Sequence, residues 1–256
     1  MGLAIVFGWF AAALGFAVAW VRQRKTCDAS SVDACWTVAI ALLVVAYAVT
    51  LPGAPARRAL VAILTTIWSA RLAAHLLRDR VLSHVGEDGR YLRLRRAWGA
   101  NAQPRFFVLY QVQAALAVLF SLPPLAAMGP EPLDGWAWTG LAVALVAVAG
   151  ESVADGQLRR FRRDSAHAGT TCRVGLWRYS RHPNYFFEWI HWWSYVLVGR
   201  GAPLTWLGPI VMLAFLYRVT GIPHTEAQAL LSRGDDYREY QRTTSAFVPW
   251  FPRRAG

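Results

Sequence analysis

The sequence predicts an all-α integral membrane protein with seven transmembrane helices, the N-terminus outside and the C-terminus cytoplasmic. Three observations support this fold class. Apolar residues make up 55% of the 256 residues and charged residues only 16%, against about 25% charged residues in soluble domains. Seven stretches approach the length of about 20 apolar residues that a helix needs to cross a bilayer. The basic residues, finally, fall in alternate loops between these stretches.

The seven predicted spans run over 3–20, 36–52, 59–77, 106–128, 136–154, 186–199 and 203–221. Basic residues follow the first span rather than precede it, which is the reverse of a cleavable signal peptide, so we expect this span to be retained. The sixth span is short and aromatic and contains Glu188 and His191, which makes it the least lipid-like.

Basic residues predict the orientation because Lys and Arg gather in cytoplasmic loops. Of the 27 basic residues, 23 lie in the loops that follow the first, third and fifth spans or in the tail counted from 218, and only Arg57, Arg58 and Arg200 lie in the opposite loops. Arg71 lies inside a span. The formal charge of +12 is therefore expected mainly from topology and attraction to anionic lipid.

The sequence lacks the patterns that are typical of several kinds of functional site. Three unevenly spaced cysteines predict neither a disulfide scaffold nor a cysteine-built zinc site, so we expect no metal. No dinucleotide-binding GxGxxG, phosphate-loop, GxSxG or HExxH pattern is present. Residues 1–256 form a single predicted membrane domain without a soluble module, so no nucleic-acid partner is expected, and the sequence identifies no protein partner. Any nucleotide must bind among the helices and their loops.

Polar residues at membrane depth are costly and commonly functional. Glu151, Asp155, Arg159 and Arg162 follow at helical spacing on one predicted face. This stripe fits either a self-paired interfacial surface or a wall whose acids accept hydrogen bonds from a ligand. On the third span, His75 follows Arg71 by one turn; such residues equally fit snorkelling and packing.

The strongest motif is RYSRHPNYFFE over residues 178–188. Pro183 suits the first turn of a helix, on which Asn184, Glu188, His191 and Tyr195 would share one face. A helix N-terminus flanked by arginines favours phosphate binding. The tryptophans that follow fit an interfacial belt, but Asn184 and Glu188 do not, so we predict a ligand site here.

The run GLWRYSRHPNYFFEW over residues 175–189 resembles the C-terminal signature of the steroid 5-alpha-reductase-like family, in the bacterial branch carried as a domain of unknown function (DUF1295). The tail GDDYREYQRTTSAFVPW over 234–250 is similar to the same branch. The resemblance implies an oxidoreductase of the bacterial inner membrane. Such an enzyme uses NADPH to saturate a carbon–carbon double bond conjugated to a ketone in a steroid-like or other apolar lipid.

The resemblance also implies different roles for the two halves of the chain. Spans within 1–128 would form the lipid-substrate side, and 136–256 would bind the cofactor. Carried over residue by residue, the implied cofactor-binding side chains are Arg90, Glu151, Asp155, Arg159, Arg162, Tyr179, Arg181, Asn184, Glu188, Glu226 and Tyr237. Glu151 stands where relatives have Asn, which keeps an acceptor and loses a donor.

The catalytic acid is the largest departure from the family, because the second span has no carboxylate to polarise a ketone. His75, Tyr47 and Tyr110 remain as candidate donors. The alternative is a membrane methyltransferase of the isoprenylcysteine or phospholipid type, which uses S-adenosylmethionine, since such enzymes share a similar Arg–His–Pro–x–Tyr element. They commonly end with a Glu–Glu pair, where this chain has Glu226 alone. A non-catalytic lipid-binding protein is the third possibility.

Overall fold

A computed structural model of the chain describes residues 1–82, 86–219 and 221–253 and is helical throughout its regular elements in these residues. The helices are α1 (Gly2–Thr26), α2 (Val32–Thr50), α3 (Pro55–Leu76), α4 (Gly89–Trp98), α5 (Ala102–Ala127), α6 (Gly135–Arg163), α7 (Pro183–Val198), α8 (Leu207–Ala214) and α9 (Ile222–Thr243). The chain divides into two compact units, Met1–Leu133 and Asp134–Gly256.

Within the described ranges, six helical segments are long and apolar enough to cross a membrane, which confirms the integral membrane prediction at this level. They are Gly2–Thr26, Val32–Thr50, Pro55–Leu82, Gly89–Ala127, Gly135–Arg163 and Pro203–Thr243. The sixth predicted span is helix α7, which has 16 residues and a length of about 24 Å. This helix is shorter than the bilayer core of about 30 Å, so the seventh crossing stays a prediction.

The first unit packs α2 against α3, and α1 and α2 against α5. Its centre is aromatic: the Trp36 ring meets the rings of Trp68 and Phe120 edge-on, at 6.3 and 5.3 Å between centroids. The polar segment 78–105 includes helix α4, which begins where the Asp88 carboxylate accepts a hydrogen bond from the backbone N–H of Arg90 at 2.9 Å. A capped amphipathic helix therefore occupies part of what the sequence predicts to be a loop.

The second unit is organised around the pair α6 and α7. Gly140 of α6 lies against Ser194 and Val198, and Gly150 lies against the Phe187 ring. Low numbers on α6 meet high numbers on α7, so the two helices are antiparallel. Glycine allows this close approach because an added Cβ at Gly140 would sit 2.8 Å from the Ser194 carbonyl oxygen.

Candidate functional site

The polar stripe of α6 and the signature on α7 meet in the second unit. The Asn184 side chain donates a hydrogen bond from Nδ2 to Oδ1 of Asp155 at 3.1 Å. Asp155 and Glu151 are each only 5% exposed, and Glu188 is 7% exposed. Buried carboxylates are costly unless they are hydrogen-bonded or paired, so this arrangement is typical of a functional site.

The same face of α7 continues as a hydrogen-bonded series. Trp192 donates from Nε1 to Oε1 of Glu188 at 3.2 Å, and His191 Nε2 lies 3.0 Å from the Tyr195 hydroxyl. All four side chains are buried. The predicted face of Asn184, Glu188, His191 and Tyr195 is therefore an internal polar face, and the tryptophan takes part in it rather than serving only as an interfacial belt residue.

The approach to α7 is held against α6 by two hydrogen bonds. The backbone N–H of Leu176 donates to Oε1 of Gln157, and Trp177 Nε1 donates to the carbonyl oxygen of Ala154, both at 2.9 Å. Gly175 has φ of +59°, and a Cβ there would lie 2.3 Å from the Gln157 side chain. The positive φ favours glycine, so the turn that begins the signature depends on this residue.

Arg181 and Glu226, both predicted to contact a cofactor, are joined to each other. Arg181 Nε donates to Oε1 of Glu226 at 2.7 Å, and its NH1 donates to the carbonyl oxygens of Gln241 and Thr244 at 3.0 and 2.6 Å. Gln241 Nε2 donates to the second carboxylate oxygen of Glu226 at 2.7 Å. This arginine therefore fastens the C-terminal segment to the signature, and its proposed role toward a cofactor stays a prediction.

His182 completes this cluster and was not among the predicted site residues. Its Nε2 lies 3.1 Å from Oε1 of Glu226, and its ring stacks on Tyr185 with centroids 5.3 Å apart. Burial lowers the pKa of His182 below its ordinary value of 6.5, and the Glu226 carboxylate opposes that shift. The Arg–His–Pro motif places His182 directly before the signature helix and so marks it as a candidate. The motif does not predict its pairing with a glutamate 44 residues away.

The remaining predicted residues of this unit lie around the two clusters. The backbone carbonyl of Tyr179 accepts a hydrogen bond from the N–H of Trp250 at 2.8 Å. Tyr237 is buried beside Ala229 and Tyr240. On the last turns of α6, Arg159 is half-buried and Arg162 is exposed. Among the predicted cofactor residues, the structure thus brings Asp155 into contact with Asn184 and Arg181 into contact with Glu226.

Arg90 lies in the first unit, in a network around Asp33. The Asp33 carboxylate accepts hydrogen bonds from Arg80, from Arg90 and from the Tyr91 hydroxyl, the last at 2.8 Å. The Arg90 guanidinium also lies over the Tyr91 ring, 4.5 Å from its centroid. Asp33 stands in the first turn of α2, as expected of a helix-start residue, and it also binds both arginines.

The three candidate donors occupy different surroundings in the first unit. Tyr47 lines a groove of about 910 Å³ between α1 and α2, whose other lining residues are mostly apolar. Its hydroxyl lies 3.4 Å from the Ser121 hydroxyl, which donates to it. His75 faces Asp79 at 3.6 Å, and Tyr110 is buried edge-on to Phe16. Neither His75 nor Tyr110 is among the residues that line this groove.

In the part of the chain that the structure describes, no group of three or more His, Cys, Asp or Glu residues could hold a metal ion. The carboxylates of Asp155, Glu188 and Glu226 instead accept hydrogen bonds from an amide, an indole and a guanidinium group, respectively. These groups suit hydrogen bonding to an organic ligand.

Comparison with known proteins identifies one family. The profile of the family described as "Protein of unknown function (DUF1295)" matches residues 19–244. An uncharacterised protein of the fission yeast Schizosaccharomyces pombe is 28% identical over 266 aligned positions, covering 91% of this chain and 76% of the yeast protein. No solved structure matches the chain.

Proposed function

The chain belongs to the DUF1295 family of proteins of unknown function, and on that premise we propose that it is an NADPH-dependent membrane reductase of the steroid 5-alpha-reductase-like kind. The reaction is the saturation of a carbon–carbon double bond conjugated to a ketone in an apolar lipid. The observation that carries the proposal is the hydrogen bond between Asn184 and Asp155, which joins the signature to the polar stripe of α6.

The side chains around this hydrogen bond fit a dinucleotide. Carboxylates of Asp155 and Glu188 can accept hydrogen bonds from ribose hydroxyls and from a carboxamide. Arg159 and Arg162, on the last turns of α6, supply guanidinium groups of the kind that bind phosphates. Glu226 fits less well, because Arg181 and Gln241 already donate to its carboxylate.

The donor to the ketone is Tyr47 in this proposal. When bound, NADPH supplies the hydride that adds to the β-carbon of the enone. The Tyr47 hydroxyl donates a hydrogen bond to the ketone oxygen as negative charge develops there, which is the interaction that contributes most in such reactions. Tyr47 is favoured over His75 and Tyr110 because it lines the apolar groove, where a lipid ring system would be shielded from water.

Ligand titration of the purified protein tests the proposal. NADPH should bind, S-adenosylmethionine should not, and Asn184→Ala should weaken NADPH binding at least tenfold. Asn101→Ala removes the only other asparagine, which is exposed in the first unit, and should leave the affinity unchanged. Binding of S-adenosylmethionine would instead identify a methyltransferase, and binding of neither cofactor would identify a non-catalytic lipid-binding protein.

Tyr47→Phe separates the donor role from cofactor binding. Loss of an oxyanion-type donor typically costs about 10²–10³ in turnover, so NADPH oxidation with an enone lipid should fall in that range while NADPH affinity stays the same. Full turnover in this variant would remove Tyr47 from the mechanism.

The proposal includes a topology and a location. Helix α7 makes the sixth of seven crossings, the N-terminus lies outside and the C-terminus is cytoplasmic. The membrane is the bacterial inner membrane. The support for the topology is the distribution of the basic residues, 23 of which lie on one side under this arrangement. The location rests on the resemblance to the bacterial branch.

A further inference from the structure

We propose that a second site, formed by the C-terminal segment of the second unit, binds the phosphate of an anionic phospholipid headgroup. A cavity of about 380 Å³ lies there, apart from the Asp155–Asn184 contact. Its lining includes Arg181, Arg242, Arg253, Thr244, Ser245 and Trp250.

Backbone hydrogen bonds hold the segment that surrounds the cavity. The N–H of Arg181 donates to the carbonyl oxygen of Ser245, and the N–H of Arg253 donates to that of Thr243, both at 2.8 Å. The Arg181 guanidinium adds its bonds to the carbonyl oxygens of Gln241 and Thr244. The segment 241–253 is therefore held in one conformation around the cavity.

The charge of the lining fits an anion. Among the residues that the structure describes, three arginines line the cavity and no Asp or Glu does. Arg181 is balanced by Glu226, but the exposed side chains of Arg242 and Arg253 make no hydrogen bond or ion pair with any residue that the structure describes. Two guanidinium groups without a partner, next to the hydroxyls of Thr244 and Ser245, match the charge and hydrogen-bonding needs of a phosphate.

The apolar surface beside the cavity favours a lipid as the source of that phosphate. Trp250 is 71% exposed and Phe251 77% exposed, and both line the cavity. Aromatic side chains are enriched where membrane proteins meet lipid headgroups. Inorganic phosphate would gain nothing from these rings, whereas a phospholipid presents a phosphate and acyl chains together.

The test uses the full-length protein in an uncharged detergent, with dihexanoyl phosphatidylglycerol below its micelle concentration as the probe. This lipid should raise the thermal unfolding midpoint with increasing concentration, and dihexanoyl phosphatidylcholine should not. Arg242→Gln and Arg253→Gln should each weaken phosphatidylglycerol affinity about fivefold, which corresponds to about 1 kcal/mol per basic residue.

Arg238→Gln is the matched control, because it removes the same charge from helix α9 at an exposed residue that does not line the cavity. It should leave the affinity within twofold. The proposal is overturned if Arg242→Gln and Arg253→Gln both bind phosphatidylglycerol as tightly as Arg238→Gln does. It is also overturned if inorganic phosphate or NADPH displaces the lipid at equal concentration, since the cavity would then serve a soluble anion.

Discussion

At the scale of single residues, the contact between Asn184 and Asp155 is the most informative one. Asn184→Asp would place two carboxylates at the 3.1 Å separation now bridged by an amide donor. Loss of that donor against a buried acceptor should lower the free energy of unfolding by about 1–3 kcal/mol. Thermal or denaturant unfolding in detergent measures the change.

The exchange variant Asp155→Asn/Asn184→Asp is the control for this prediction. It restores one donor and one acceptor across the same pair and should recover most of the lost stability. An exchange variant no more stable than Asn184→Asp would mean that these two side chains do not pair in the folded protein.

His182 gives a pH dependence whose sign follows from its burial. Its pKa is lowered in the folded protein, so the unfolded chain binds a proton more readily once the pH falls below the ordinary value of 6.5. Folding stability contributed by this residue is therefore present at neutral pH and is lost on acidification. Between about pH 7 and pH 5 the wild type should lose more stability than His182→Gln. Equal slopes of unfolding midpoint against pH would contradict this assignment.

At the scale of helices, the close packing of α6 on α7 depends on a glycine. Gly140→Ala places a methyl group 2.8 Å from the Ser194 backbone oxygen, which cannot move aside like a flexible side chain. Such overpacking should cost about 1–3 kcal/mol of unfolding free energy. Gly156→Ala on the same helix meets open space and should be neutral or stabilising by up to about 1 kcal/mol. Equal effects of the two substitutions would argue against this helix pair.

Local patterns predict the helices well and long-range pairings poorly. Pro183 correctly predicts where α7 begins, because its fixed φ and missing N–H suit the first turn. The i, i+4 stripe places Glu151 and Asp155 on one buried face of α6. Nothing in the sequence periodicity pairs Arg181 with Glu226, since a charged residue can satisfy its partner from any segment that the fold brings near. Two residues predicted to meet a cofactor consequently also hold the chain together.

At the scale of the whole chain, polar groups are concentrated in few places within an otherwise apolar sequence. The first unit has the groove with Tyr47 and the network around Asp33. The second unit has the Asp155–Asn184 contact and the cluster around Glu226. Because buried polar groups are expensive in a membrane protein, each concentration is a place where function is expected to outweigh stability.

The number of membrane crossings determines on which side of the membrane these groups lie. That number is seven if helix α7 crosses and six if it does not. Six crossings would place both chain ends on one side, and seven would place them on opposite sides. With 16 residues, α7 covers about 24 Å and needs a locally thinned bilayer or long flanking side chains to cross. If it did not cross, the six basic residues from 218 onward would lie outside, against the usual distribution. We therefore expect a green fluorescent protein fused to the C-terminus to fluoresce in the cytoplasm, and alkaline phosphatase inserted after Gly201 to be active. A non-fluorescent C-terminal fusion together with inactive alkaline phosphatase after Gly201 would show that the chain crosses the membrane six times.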